Sequence, residues 1–291
     1  MGIVVTVMNM KGGVGKTTVA SHVAGLVGRY RWKTGFKRVL MIDYDPQFNL
    51  SQAVLRSKRF FDLEKAGKTC LAVLQDIDDD LDPFQIQTPS SGTPPPIRDL
   101  VSPVWRTRGG VHVDILPSTL DLMNVAIGTA TGDIQLVEKR FAAFVGECRR
   151  EYDLTVIDCH PAGSILSRTS LRNSDHVLIP VAPQAYAARG VALMLRFIEV
   201  HGRGKATPTP HIVFNLTPRS GPISAVEGEI RANARLGPYC LTHTLHKYKA
   251  FSEPAEGQGF VWASRKPYSS EAYANLWYFV DEFSQRINLE G

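Results

Sequence analysis

The stretch IVVTVMNMKGGVGKTT, residues 3–18, decides how this chain folds. An apolar run at 3–8 predicts a buried strand, a glycine-rich loop follows it, and the residues from 19 onward predict a helix. Glycines lack a Cβ, so the loop backbone can turn tightly and direct successive N–H groups at one anion. The positive end of the helix adds only about 0.3–1 kcal/mol at an exposed site. The sequence therefore predicts a phosphate-binding loop in which amides, a lysine and a metal act together.

The residues predicted to bind a nucleotide here are Gly12, Gly13, Val14, Gly15, Lys16, Thr17 and Thr18. Lys16 is placed to reach the β- and γ-phosphates, and the Thr17 hydroxyl to complete a Mg²⁺ shell made mostly of water and phosphate oxygens. The loop departs from the pattern G-x-x-x-x-G-K-[ST], because Met10 stands where the first glycine belongs. A second lysine, Lys11, precedes the glycines instead. The alternative is a glycine turn with solvated lysines, and the flanking strand and helix disfavour it.

The composition is that of an ordinary globular chain. Its 291 residues are 44% hydrophobic and 21% charged, and no apolar run approaches the roughly 20 residues that span a bilayer. We expect one domain over residues 1–291, no signal peptide and a cytoplasmic location. The net charge of +5 permits a polyanionic partner without establishing one. No C-x-x-C spacing suited to zinc or an iron–sulfur cluster occurs among Cys70, Cys148, Cys159 and Cys240.

Apolar runs alternate with helix-like stretches along most of the chain. This alternation predicts a doubly wound α/β fold, a mostly parallel sheet with helices on both faces. Strands are predicted at 3–8, 39–42, 111–116, 154–157, 177–181, 212–214 and, more weakly, 241–245. Helices are predicted near 17–29, 62–76, 134–150, 185–200, 223–235 and 270–287. The stretch 78–110 breaks the alternation, and its aspartates and clustered prolines predict an irregular surface excursion.

Two further predicted strands end in carboxylates. Asp43 and Asp45 follow the strand at 39–42, and Asp158 follows the strand at 154–157. Carboxyl ends of parallel strands share one edge, where open α/β sheets bind ligands. One carboxylate of the first pair can orient water while the other supports a metal shell, and Asp158 suits a carboxylate that holds Mg²⁺ through water. Two capping aspartates in a strand-end turn are the alternative for the first pair.

The loop K-G-G-V-G-K-T-T at 11–18 resembles the deviant Walker A motif of the ParA/MinD family of dimeric ATPases. The resemblance implies a P-loop NTPase fold, Mg²⁺ and ATP as ligands, and a face-to-face homodimer in which Lys11 touches the partner's nucleotide. The segment D-Y-D-P-Q at 43–47 looks like that family's switch, I-D-x-D-P-Q, and this implies that Asp45 orients the attacking water while Asp43 lies near Mg²⁺. The catalytic residues expected from the resemblance are Lys11, Lys16 and Asp45.

The similarity continues toward the C-terminus. The segment 177–190 resembles the family's strand and loop at the dimer face, and 212–217 is similar to the strand whose terminal Asn, here Asn215, lies near the adenine. An Asn that closes a turn is the alternative reading of Asn215. The segment 251–273 resembles the chromosome and plasmid partition branch. MinD-type relatives end in a basic amphipathic helix, whereas 281–291 is acidic, so membrane anchoring is disfavoured.

The partition branch implies nonspecific binding to double-stranded DNA on the nucleoid, and stimulation by a centromere-binding (ParB-like) or adaptor protein. Basic residues in the C-terminal half are the candidate phosphate contacts. They are Arg189, Arg196, Arg203, Lys205, Arg219, Arg231, Arg235, Lys247, Lys249, Arg265 and Lys266. The alternative for any single one of them is a merely solvated surface position.

The expected function is DNA partition, of a plasmid or a chromosome. ATP closes the dimer, the dimer binds DNA, and weak, partner-stimulated hydrolysis releases it. Two alternatives stay open: a relative that positions a protein cargo, and a nucleotide-gated regulator or corepressor with little turnover. Iron-protein relatives with a bridging cluster are disfavoured by the cysteine spacing.

Overall fold

The computed structural model describes residues 1–29, 35, 37–76, 89–106, 110–127, 134–202, 206–257 and 259–288. The strands in this part of the chain are β1 (Ile3–Val7), β2 (Arg38–Tyr44), β3 (Ser102–Arg106), β4 (His112–Leu116), β5 (Leu154–Cys159), β6 (His176–Val181) and β7 (Thr209–Phe214). They form one sheet in the order β3-β4-β2-β5-β1-β6-β7. β3 is antiparallel to β4, and the other neighbours are parallel. The predicted mostly parallel sheet is thereby confirmed.

Helices cover both faces of this sheet. They are α1 (Lys16–Arg29), α2 (Asn49–Val54), α3 (Ser57–Lys65), α4 (Cys70–Leu74), α5 (Ile97–Leu100), α6 (Leu122–Ile127), α7 (Ile134–Glu151), α8 (Ile165–Arg172), α9 (Ala187–His201), α10 (Ala225–Ala232) and α11 (Ser269–Asn288). α1 and α11 pack on one face, and α7, α8 and α9 pack on the other. None of the described helices is long and apolar enough to cross a bilayer.

Neighbouring residues of a strand enter opposite halves of the core. Val4 of β1 packs in one cluster with Phe141 of α7, while Val5 packs in the other cluster with Phe279 of α11. Because both faces of the sheet are buried, the central strands are nearly continuous apolar runs. The carboxyl ends of these strands remain at one edge of the sheet, and the predicted site residues follow them.

The single helix predicted near 62–76 was wrong. Two helices occupy this region, Ser57–Lys65 and Cys70–Leu74. Gly67 lies between them with φ 65°, a left-handed conformation that ends the first helix. The helix predicted near 223–235 is also shorter than expected, because it ends at Ala232.

The weak strand predicted at 241–245 was wrong as well. Leu241 N donates to Ile212 O and Leu245 N donates to Phe214 O, both at 2.8 Å. The chain bends at 242–243, and the isolated bridges lie on either side of the segment, at Cys240 and His246, so residues 241–245 form no regular ladder with β7. The core still buries both leucines, which explains the apolar pattern in the sequence.

The excursion predicted at 78–110 is only partly irregular. Residues 97–100 form α5, and residues 102–106 form the edge strand β3. Pro103 is tolerated there because an edge strand has one side without ladder hydrogen bonds. The aspartate run at 78–80 and residues 107–109 lie outside the described residues.

Candidate nucleotide site

The glycine loop connects the end of β1 to the start of α1. Gly13 and Gly15 have φ of 73° and 83°, in the left-handed region that favours glycine. A Cβ added to Gly15 would lie 2.5 Å from Asn215 Nδ2, whereas one added to Gly12 would meet nothing within 4 Å. Gly15 is therefore required for two separate reasons, its conformation and its packing.

Asn215 supports this loop from the carboxyl end of β7. Its side chain is buried, and Nδ2 donates to Val14 O at 2.8 Å. Its backbone N donates to Val181 O, also at 2.8 Å, so the residue joins β6, β7 and the loop. Asn215 thus supports the glycine loop, and its side chain also lines the cavity described below, while its place near the adenine stays a prediction.

Asp158 is the penultimate residue of β5, directly beside β1, with Val7 as its register partner. Both carboxylate oxygens are buried, and neither has a hydrogen-bond partner among the described residues. Burial raises the pKa of this carboxyl to about 7, Asp45 adds to the rise, and the Thr17 side chain and Lys16 oppose it. An ionised Asp158 therefore needs a cation that the surrounding protein supplies only in part.

Asp43 is the register partner of Asp158 on β2. Its Oδ2 accepts hydrogen bonds from Ser51 N at 2.7 Å and Ser51 Oγ at 2.6 Å. Burial raises the pKa of Asp43 well above its ordinary value, and the charge of Asp158 adds to the rise. Unlike Asp158, Asp43 is engaged by the chain itself through Oδ2, and its predicted place near Mg²⁺ stays a prediction.

Asp45 lies in the tight turn that follows β2. Its Oδ1 accepts from Gln47 N at 3.0 Å, and its carbonyl oxygen accepts from Phe48 N at 2.9 Å and from Ser118 Oγ at 2.7 Å. The side chain is largely buried, beside the same sheet edge as Asp158. Ser51 and Ser118 were not among the predicted site residues. Ser118 follows β4, so the strand-end rule that identified the aspartates could have identified it too.

Lys11 lies at the protein surface beside the loop that follows β6. Its Nζ donates to Gln184 Oε1 at 2.8 Å. Its backbone N donates to Asn9 Oδ1 at 3.1 Å, and Asn9 Nδ2 donates to Pro180 O at 2.7 Å. The exposed ammonium is thus carried on a well-anchored backbone and is available to a second molecule.

A cavity of about 640 Å³ adjoins the glycine loop. Its lining includes Gly15, Thr18 and Asn215 on the loop side. Arg219 lies over the Tyr268 ring at 4.0 Å from the centroid, and more loosely over Tyr248 at 5.7 Å. The aromatic and loop-side lining suits the base and ribose of a nucleotide whose phosphates occupy the loop.

The structure separates the predicted DNA-binding residues into four groups, the last of which is described in the next paragraph. Arg219, Lys247 and Lys249 line the cavity. Arg189, Arg196, Arg235 and Arg265 are exposed elsewhere, with the first two on α9. Arg203 and Lys205 lie outside the described residues.

Two of the predicted DNA contacts are engaged in ion pairs. Lys266 Nζ lies 2.6 Å from a Glu256 oxygen and 3.7 Å from a Glu253 oxygen. Arg231 pairs with buried Glu227 at 2.9 Å and also stacks on Phe214 at 4.8 Å. Both cations therefore have structural partners in this chain, and their role as phosphate contacts stays a prediction.

A family model described as an AAA domain matches residues 2–206. The sporulation initiation inhibitor protein Soj of Bacillus subtilis is 28% identical over 207 residues, which cover 69% of this chain and 66% of Soj. The chain thus aligns with less than two thirds of that relative's length.

Solved structures show the same fold along the whole chain. The pNOB8 ParA structure has a TM-score of 0.70 at 19% identity, and its complex with nonspecific DNA has a TM-score of 0.64 at 19% identity, each covering 100% of both chains. A plasmid partition protein from Borrelia burgdorferi bound to AMPPNP has a TM-score of 0.65 at 19% identity, covering 96% of this chain and 98% of that one. The chain belongs to the AAA domain family, and it is similar to Soj in sequence and to ParA in fold.

Proposed function

We propose that this chain binds Mg-ATP in the loop at 11–18, closes into a face-to-face dimer and, in that state, binds double-stranded DNA without sequence preference. Hydrolysis, weak on its own and stimulated by a partner protein, ends the DNA-bound state. The observation that carries the proposal is the buried Asp158 carboxylate, which lies beside a phosphate-binding loop and lacks a hydrogen-bond partner among the described residues.

The residues around Asp158 fit a magnesium ion. A buried carboxylate whose oxygens make no hydrogen bond of normal geometry, close to the Thr17 hydroxyl that lowers its pKa, is an oxygen-rich donor set of the kind Mg²⁺ prefers. Thr17 and Asp158 would hold the ion, whose chemical contribution is to neutralise charge on the phosphate oxygens. We assign no direct ligand role to Asp43, because its Oδ2 accepts two hydrogen bonds from Ser51.

Three side chains would carry out the chemistry. Asp45 orients the attacking water, and its largely buried position at the end of β2 supports that role. Lys16, the first residue of α1, neutralises charge on the phosphates of its own subunit. Lys11 reaches the partner's nucleotide, and its exposed ammonium beside Gln184 supports a role across a dimer face.

Exposed cations support the DNA-binding part of the proposal. Arg189 and Arg196 lie on the solvent side of α9, where phosphate contacts would carry no sequence information. Related pNOB8 ParA has been solved bound to nonspecific DNA, and its fold covers this whole chain. The cavity cations Arg219, Lys247 and Lys249 would instead sense the bound nucleotide.

DNA retention measured with no nucleotide, ADP and ATP across a salt series tests this function. We expect retention only with ATP, and we expect Asp45→Ala to prolong it because hydrolysis no longer ends the bound state. Phosphate release is measured in parallel, with and without DNA. Equal retention in all three nucleotide states would refute the proposal, as would an Asp45→Ala protein that fails to retain DNA with ATP.

A further inference from the structure

A chain of buried hydrogen bonds connects Asp43 to the backbone of Asp45 through two serines. Ser51 donates from both N and Oγ to Asp43 Oδ2, at 2.7 and 2.6 Å. Ser118 N donates to Ser51 Oγ at 3.0 Å, and Ser118 Oγ donates to the Asp45 carbonyl oxygen at 2.7 Å. Ser51 and Ser118 are fully buried, so no solvent competes for these bonds.

The direction of the chain follows from its donors and acceptors. Ionised Asp43 and the Asp45 carbonyl oxygen only accept, so with Asp43 ionised each serine hydroxyl gives its one proton to them. The Ser51 hydroxyl then has a lone pair left for Ser118 N–H. Every donor in the path is thereby used once, and replacing either hydroxyl breaks the path.

The loop that carries Ser118 is itself fixed in place. Cys70 Sγ donates to Asp43 O at 3.0 Å, and Cys70 N donates to Pro117 O at 2.8 Å. Thr119 Oγ1 donates to Glu64 Oε1 at 2.9 Å on the other side of Ser118. Ser118 therefore acts from a rigid support on the turn that holds Asp45.

The turn after Asp45 depends on outside support. Phe48 has φ 44°, a left-handed conformation that costs free energy for a residue with a Cβ. Such a conformation persists only where the surrounding structure enforces it. Phe48 N and Ser118 Oγ both donate to the Asp45 carbonyl oxygen, at 2.9 and 2.7 Å, so Ser118 contacts the peptide group on which this turn closes.

We propose that Ser118 is a positioning residue for ATP hydrolysis, because it sets the place of the Asp45 carboxylate through the Asp45 backbone, with Ser51 and Asp43 as its support. The inference rests on the proposed role of Asp45. It gives Asp43 a function that does not require contact with metal. Ser118 touches neither nucleotide nor water in this scheme, so its loss slows the chemical step and spares ATP binding.

Single-turnover hydrolysis by the full-length chain tests the proposal, with ATP affinity measured separately by equilibrium binding of a fluorescent ATP analogue. We expect Ser118→Ala to lower the hydrolysis rate by about tenfold to a hundredfold and to leave the dissociation constant within about twofold. Ser174→Ala is the matched control, because Ser174 is a buried, hydrogen-bonded serine that precedes β6 at its amino end. We expect Ser174→Ala to hydrolyse ATP at the wild-type rate.

A double-mutant cycle separates positioning from a general effect on the fold. In an Asp45→Asn background, Ser118→Ala should lower the residual rate by less than about twofold, because its target is already lost. Ser51→Ala breaks the same path one bond earlier, and it should slow hydrolysis in the same way even if Ser118→Ala fails to fold.

Three results would overturn the inference alone: an unchanged rate in Ser118→Ala, an equal loss in Ser174→Ala, or a full additional loss in the Asp45→Asn background. A wild-type chain that binds ATP without hydrolysing it would overturn the proposed function, and the inference with it.

Discussion

Asn215 Nδ2 donates to Val14 O at 2.8 Å across 201 residues of sequence, and this bond fixes the glycine loop to the end of β7. The Asn215 side chain is buried, so the bond is shielded from water. It also fills the space next to Gly15, where a Cβ would lie 2.5 Å from Nδ2. The shape of the loop thus depends on a residue from the far end of the sheet.

Gly15→Ala should destabilise the nucleotide-free protein by about 1–3 kcal/mol, because alanine is strained at φ 83° and its Cβ overlaps Asn215. Urea unfolding measures the free energy. Gly12→Ala is the matched control and should cost less than about 1 kcal/mol, because its Cβ meets nothing within 4 Å. Adding Asn215→Ala to Gly15→Ala removes the overlap and leaves the conformational strain. Equal costs for the two glycine variants would contradict this account of the loop.

Lys11→Ala should weaken ATP-dependent dimerisation and slow hydrolysis, because a charge that neutralises the partner's phosphates is lost. Light scattering with ATP and a phosphate-release assay measure the two effects. Gln184→Ala serves as the control, since it removes the 2.8 Å contact of Lys11 Nζ but leaves the charge in place. A Lys11→Ala protein that dimerises and hydrolyses ATP like wild type would exclude the role across the interface.

Arg189→Ala and Arg196→Ala should each reduce the slope of log affinity against log salt concentration by about 0.9 for double-stranded DNA, because each removes one phosphate contact. Fluorescence anisotropy with ATP and DNA of two unrelated sequences measures the slope. Lys58→Ala, an exposed position on α3, makes the same change in net charge and should leave the slope unchanged. If the control lowers the slope as much as the α9 variants, the effect is one of overall charge.

The glycine loop and the three aspartates could be predicted because each lies at the carboxyl end of an apolar run in the sequence. Their signal is local, and the parallel sheet then brings the strand ends together. Ser51 and Ser118 form their bond across 67 residues, and no local pattern marks it. What the aspartates do once assembled, with Asp43 bonded to Ser51, was therefore not predictable from the sequence.

The same limit applies to the edge strand and to the surface cations. β3 is short, contains Pro103 and pairs antiparallel, so neither its composition nor its alternation predicted a strand. Lys266 and Arg265 are neighbours in the sequence, but Lys266 is paired with Glu256 while Arg265 is exposed. Whether a cation is exposed or held in an ion pair depends on tertiary packing, which cannot be predicted from the local sequence.

His22 provides a test of the core behind the loop. Its ring is buried in α1, with Nδ1 2.9 Å from Thr18 O, and Nε2 has no hydrogen-bond partner in the described part of the chain. Burial lowers the pKa of His22 from 6.5 to about 4, although the Thr18 carbonyl opposes the shift. The His22 ring therefore becomes protonated near pH 6.5 in the unfolded chain, but only near pH 4 in the folded protein.

The His22 contribution to stability is full above pH 6.5 and is lost as pH falls toward 4, because the unfolded state binds more protons in that window. The loss between pH 7 and pH 4.5 is about 2–3 kcal/mol. His22→Leu should remove this part of the acid slope, and urea unfolding at both pH values measures it. His22→Leu removes the ring contact to the Thr18 carbonyl oxygen, but that oxygen still accepts a hydrogen bond from Ser21 Oγ at 3.1 Å, so it is not left without a partner. Burial also lowers the pKa of His211, to about 3. His211 contributes equally to the acid slopes of wild type and His22→Leu, so its contribution cancels when the two slopes are subtracted. An acid slope that is identical in wild type and His22→Leu would show that His22 is not neutral in the folded protein.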